Sequence, residues 1–279
     1  PASVPMFFLD IASNDMKVKT LVDPEIDAIN KSEHELYRKY YKLGYINADS
    51  ATTTTNVEDV RRQGKIWMQM TVWKPGLDEI TASSDNHMFE YISHVVEEPI
   101  VTTDLATGSM FSISRTSEDP ERAMMVLNAL HTDPYAVNLI VNGIEGKHYK
   151  KVGENRIEPI PDSGYGSTAL NWVIGNQMLN YLKPGEPDDL YEQWKEFNDT
   201  AQRFPLLGFV FDDSNVKNEI TQLTAIAQEY NIIGSGAVEN PSRLIDERSE
   251  KLKNAGIEKV REELQTQIDA WWAEHKPES

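Results

Sequence analysis

Cysteine is absent from all 279 residues, which removes thiol catalysis, cysteine-ligated zinc and disulfides together while leaving the compartment open. Long apolar runs are missing too: none approaches the length of a membrane-spanning helix. The chain does not open with a basic segment followed by an apolar one; P-A-S-V-P-M-F-F-L-D-I-A-S-N-D reads as loop, short strand, loop. Basic residues are scarce, 27 Lys and Arg against 45 Asp and Glu, for a net charge of −18. Such a chain repels phosphate backbones and anionic lipid heads, so no nucleic-acid partner is expected, and the plainest use of the charge is solubility. The six histidines, His34, His87, His94, His131, His148 and His275, are scattered, and none has a partner at a metal-ligand spacing that survives the helix reading below. G-x-S-x-G, the P-loop and G-x-G-x-x-G are likewise missing, and 45 acids make any one carboxylate pair uninformative. The residues therefore predict no catalytic set, no metal and no cofactor.

Apolar residues make up 39% of the chain and recur periodically, enough for a core. Helix punctuation is clear. S-E-H-E-L-Y-R-K-Y-Y-K-L-G predicts a helix begun by a Ser32–Glu35 capping box, striped by Leu36, Tyr37, Tyr40 and Tyr41, and stopped at Gly44. Asp119-Pro120 and Asp133-Pro134 each predict a cap followed by proline in the first turn, and Gly143 stops the second helix. Asn240-Pro241 opens the helical C-terminal stretch, Gly256 breaks it, and Ile257, Val260, Leu264, Ile268 and Trp271 form a stripe. A turn at 183–189 precedes a short helix from Leu190. Alternation in G-K-I-W-M-Q-M-T-V-W-K-P-G predicts a strand ending at Trp73 before Pro75-Gly76, with further strands at 109–114 and 206–212. Interleaved strands and helices place the chain in the α/β class.

Glu145 and His148 have the E-x-x-H spacing of a helical metal pair, but Gly143 ends the helix first and Gly146 separates them. Their expected role is to shape a turn. Aromatic and amide residues carry more: Trp73 at a strand end, and Trp172 flanked by Asn171, Asn176 and Gln177. Flat aromatic faces stack on the C–H face of a sugar while planar amides bond its hydroxyls. The plainer expectation for both tryptophans is the core.

The run I-S-R-T-S-E-D-P-E-R-A-M-M-V-L-N-A-L-H-T-D-P-Y-A-V-N-L-I-V-N-G-I-E-G-K-H-Y resembles the signature of family 1 extracellular solute-binding proteins of ABC transporters, in the Gram-positive lipoprotein subgroup. N-W-V-I-G-N-Q and P-L-L-G-F-V-F-D resemble later blocks, and the final helices resemble that subgroup's own C-terminal domain. The resemblance implies a periplasmic-binding-protein-like (type II) two-lobe fold. It implies a C-terminal portion, mainly the second lobe with return and C-terminal helices, the first lobe being incomplete. The implied segments are 1–110 in the second lobe, 111–160 returning to the first lobe and hinge, and 161–279 completing the second lobe with the C-terminal domain. It further implies a monomer that captures a carbohydrate, an oligosaccharide above all, and delivers it unchanged to permease subunits. The place implied is the extracellular face of the cell membrane, with a lipid anchor in the full-length form. Trp73, Tyr149, Trp172 and Asn176 are the expected ligand-binding residues. A peptide or other polar solute on the same scaffold, and a glycoside hydrolase, are the alternatives.

Overall fold

The computed structural model describes residues 6–10, 16–85, 87–165 and 171–276. Two compact units emerge: a split unit of Pro1–Thr55 with Phe204–Ser279, and a middle unit of Asn56–Arg203. The lobe segments implied by the resemblance concern a whole two-lobe protein and are a separate matter from these units.

The split unit begins with β1 (Phe7–Leu9) antiparallel to β2 (Val18–Thr20), Phe7 opposite Thr20. Helix α1 (Pro24–Lys42) follows at once. Its start corrects the sequence expectation: Ser32 and Glu35 lie inside the helix, which begins at Asp23-Pro24, where proline suits the first turn. The Asp23 carboxylate accepts the Thr20 N–H at 2.8 Å, tying the strand end to the helix start. Gly44 ends α1 as expected, at a φ of 75°. The Leu36–Tyr41 stripe does not form a core, since α1 has no buried residue.

The middle unit opens with α2 (Val57–Arg62) and α3 (Leu77–Ser84), then β3 (Ile100–Val101) and α4 (Thr103–Ala106). Helices α5 (Pro120–Thr132) and α6 (Pro134–Val141) start as expected, Asp119 accepting from the Arg122 N–H and Asp133 from the Tyr135 N–H. Gly143 stops α6 with a φ of 83°. Strands β4 (Tyr149–Lys151) and β5 (Ile157–Pro159) pair antiparallel, and α7 (Leu190–Thr200) leads to β6 (Gln202–Arg203), which lies parallel to β3. The strands expected at 65–74 and 109–114 do not form. Alternation gives a segment strand character, but a strand exists only with a ladder partner, and among the described residues neither segment has one.

The chain returns to the split unit through 204–209, where the strand expected at 206–212 is replaced by a turn. Leu207 N–H donates to Phe204 and Phe209 N–H to Leu206, around Gly208 at a φ of 98°. Helices α8 (Lys217–Glu229), α9 (Pro241–Asn254) and α10 (Ile257–His275) complete the unit. Asn240 caps α9 by accepting the Arg243 N–H, and Gly256 separates α9 from α10, both as expected. Leu223, Leu252, Ile257 and Val260 meet Leu21 and Val216 in one core cluster. Ile268, with Leu264 and Trp271 packed beside it, meets Met16, Val18 and Leu206 in a second.

Candidate functional site

The expected site residues all lie in the middle unit, and one of them, Trp73, packs on α7. Trp73 is half-buried with its ring edge-on to Phe197, centroids 5.6 Å apart. The next residues clamp the same helix: Lys74 Nζ stands 3.8 Å above the Trp194 ring, and the Trp194 indole N–H donates to the Pro75 carbonyl at 2.8 Å. A Cβ at Gly76 would lie 2.6 Å from Leu190 Cδ1, so a side chain there would make Leu190 shift. Lys74 also reaches Gln177 Oε1 at 3.4 Å, which joins the loop after Trp73 to the segment holding Trp172 and Asn176.

That segment is a run of turns rather than a helix. Gly175 adopts a φ of 62° and packs so tightly that a Cβ would fall 2.1 Å from the Leu130 carbonyl oxygen. Asn176 N–H donates to that carbonyl, and its side-chain oxygen accepts from the Met178 N–H, starting a single 3-10 turn, Gln177–Leu179. Asn176 thus has a definite backbone task. Trp172 is 58% exposed. Trp73 and Trp172 therefore occupy different surroundings, one packed on α7 and one open.

Tyr149 is buried at 6% exposure, tilted against Tyr181 at 6.1 Å, and burial pushes its hydroxyl pKa up. His148 Nδ1 accepts the Ile144 N–H at 2.9 Å and its ring stacks on Tyr165 at 4.8 Å. The turn-shaping role read for His148 is what the structure shows, and a metal-ligating cluster of three or more residues is not found among the described residues.

Sequence reading missed the amide spine beneath these residues. Asn138, 1% exposed, donates through Nδ2 to the Pro134 and Leu179 carbonyls and accepts at Oδ1 from Tyr181 N–H and Asn142. Asn180 Nδ2 donates to the Asn171 carbonyl, and Tyr191 hydroxyl donates to the Asn180 carbonyl. Polar residues within the apolar run of α6 were the available signal. Nearby, burial lowers the Lys74 and Lys183 pKa values and raises those of Glu186 and Tyr191.

A cavity of about 20 Å³ lies among Asn171, Gln177, Asn180, Tyr181, Glu186 and Trp194. It has room for about one water and is far below the several hundred Å³ of a small-molecule pocket. A shallower, open depression of about 610 Å³ in the split unit is lined by Glu229, Tyr230, Asp246, Glu247, Glu250 and Lys251. Its lysine is already held by Glu229 at 2.6 Å. Trp172 is thus among the large apolar side chains of the middle unit that are open to solvent.

Residues 205–273 match a family described as a domain of unknown function, DUF3502. Over 94% of its length the chain is 31% identical to a carbohydrate ABC transporter substrate-binding protein of Streptococcus pneumoniae serotype 4. The chain spans about half the length of that relative, 53%. Crystal structures of the N-glycan transport solute binding protein NgtS from Streptococcus pneumoniae share the fold. The one in complex with Man1GlcNAc has a TM-score of 0.77 at 29% identity, covering 95% of this chain and 58% of NgtS. The one in complex with Man5GlcNAc has a TM-score of 0.77 at 28% identity, covering 98% of this chain and 60% of NgtS. This chain is similar in sequence to a substrate-binding protein of an ABC transporter and in fold to NgtS, over 53–60% of the length of those proteins.

Proposed function

We propose that this chain is part of an extracellular solute-binding protein that captures an oligosaccharide between two lobes and hands it, chemically unchanged, to the permease of an ABC import system. The observation that carries the reading is the likeness to NgtS, crystallised with Man1GlcNAc and Man5GlcNAc, over nearly the whole chain. Trp172, largely exposed and with Asn171 and Gln177 close by in sequence, would supply the stacking and hydroxyl-bonding groups that a sugar needs. Trp73, Tyr149 and Asn176 are the other residues assigned to solute binding in this reading. A location on the outer face of the membrane, with a lipid anchor on the full-length protein, accompanies this role.

The acidic balance would suit a cationic solute such as a peptide, but the glycan ligands of NgtS weigh against that alternative. Calorimetric titration with mannose- and N-acetylglucosamine-containing oligosaccharides tests the reading. Binding is expected, and Trp172→Ala is expected to weaken it about tenfold. A folded protein that gives no heat with any glycan of such a panel would overturn the sugar assignment. Time-dependent cleavage of the same glycans would favour the hydrolase instead.

A further inference from the structure

Asn-Gly occurs once in the sequence, at Asn142-Gly143, where α6 ends. An asparagine amide is least durable in front of glycine, which has no Cβ to shield its own backbone nitrogen. Once base has taken its proton, that nitrogen attacks Asn142 Cγ and a C–N bond closes a five-membered succinimide. The Cγ–Nδ2 bond breaks, and Nδ2 leaves as ammonia after taking a proton from water. Water then adds to one of the two ring carbonyls, opening the ring to aspartate or isoaspartate.

The fold requires both residues of this pair. Gly143 has a φ of 83°, and a Cβ there would lie 2.2 Å from His148 Nδ1. Asn142, 9% exposed, donates through Nδ2 to Asn138 Oδ1 at 2.6 Å. The same contacts oppose the reaction. The Gly143 N–H, whose proton must go, donates to the Asn138 carbonyl at 3.1 Å. The amide to be attacked is turned back along α6 towards Asn138. Ring closure also needs Asn142 Cβ and the Gly143 nitrogen on the same side of the Cα–C bond. The helical ψ of −12° at Asn142 does not provide that, and turning it would break the Gly143 bond to Asn138.

We propose that Asn142 is a deamidation site that Asn138 holds closed, and that conversion there uncouples α6 from the turn after Trp172. A carboxylate at 142 has no N–H to give Asn138 Oδ1, and it lies at a helix C-terminus, where the helix dipole opposes negative charge. Asn138 cannot turn its amide over in response, because Nδ2 already serves the Pro134 and Leu179 carbonyls and Oδ1 the Tyr181 N–H. The repulsion therefore falls on the bonds to Leu179 and Tyr181. The inference is independent of which solute the protein binds.

Peptide mapping by mass spectrometry at mildly alkaline pH follows the conversion. In the folded chain it is expected to be at least about 100-fold slower than in a synthetic peptide of residues 137–147, and in urea-unfolded chain to match the peptide. Asn138→Ala is expected to speed conversion in the folded chain at least about tenfold. Asp85→Asn, which weakens the same unit through partners outside α6, leaves the rate unchanged. Asn142→Asp, one of the two products, is expected to retain its circular dichroism and to exchange the Tyr181 amide at least about tenfold faster. Three outcomes overturn the proposal: conversion of the folded chain at the peptide's rate, equal acceleration by Asp85→Asn and Asn138→Ala, or Tyr181 exchange unaltered in Asn142→Asp. Should Asn138→Ala fail to fold, the comparison of folded chain with peptide and the exchange at Tyr181 still decide it.

Discussion

Asn138 shows what one amide does in the middle unit. Two of its four hydrogen bonds, to the Leu179 carbonyl and from the Tyr181 N–H, join α6 to the turn after Trp172, and the other two, to the Pro134 carbonyl and from Asn142, stay within α6 and its cap. Asn138→Leu keeps the volume and strands those partners, so urea unfolding is expected to show a loss of about 3 kcal/mol. A loss below about 1 kcal/mol would mean that water takes the place of the amide. Gly175→Ala is expected to cost at least about 2 kcal/mol, because a left-handed φ and a Cβ 2.1 Å from the Leu130 oxygen both oppose it. An unchanged midpoint of unfolding would show that the turn can move aside. These residues mark the limit of what the sequence discloses. Gly143 and Gly256 are legible as helix stops because their neighbours in the chain say so. Gly175 is constrained by Leu130, which nothing local places beside it.

Elements whose cause is local were legible, and elements that need a distant partner were not. Asp119, Asp133 and Asn240 each precede a proline and each caps the helix expected there. The segment 65–74 has a strand's alternation, but no short-range signal reveals whether a ladder partner exists. The junction of α2 and α3 was unread for the same reason. Arg61 on α2 donates to both oxygens of Asp85, the residue ending α3, at 2.9 and 3.1 Å, and the Tyr91 hydroxyl donates there too. The Arg61 hydrogen bonds, opposed by burial, hold the Asp85 pKa at about 2, below its ordinary 3.8. A carboxylate with a depressed folded pKa binds its proton more readily when unfolded. The stability it contributes is therefore present above about pH 4 and is lost as pH falls towards about pH 2. Asp85→Asn is expected to lower stability at neutral pH and to flatten this acid limb of an unfolding-midpoint profile. An acid limb identical in the variant would assign it to other carboxylates.

At the scale of the whole molecule, the split unit shows how far sequence order and spatial order part company. Arg248 on α9, 3% exposed, donates to Asn30 on α1 at 2.7 Å across 218 residues of chain. The DUF3502 match, 205–273, falls within the second stretch of that unit, whose core also takes Leu21 from the first. Charge acts at this scale as well. With 45 acids against 27 bases, the folded chain confines an excess of 18 negative charges that an unfolded chain spreads apart. Many of its ion pairs are half-exposed or exposed, such as Arg243–Glu247 and Lys253–Glu250, and pairs of that kind contribute at most about 1 kcal/mol. Screening therefore relieves more repulsion than attraction. Raising sodium chloride from about 10 to about 150 mM shortens the Debye length from about 30 to about 8 Å, and the thermal midpoint is expected to rise by about 2–5 °C. A falling midpoint over the same range would show that the ion pairs, Arg61–Asp85 among them, outweigh the net charge in holding the fold.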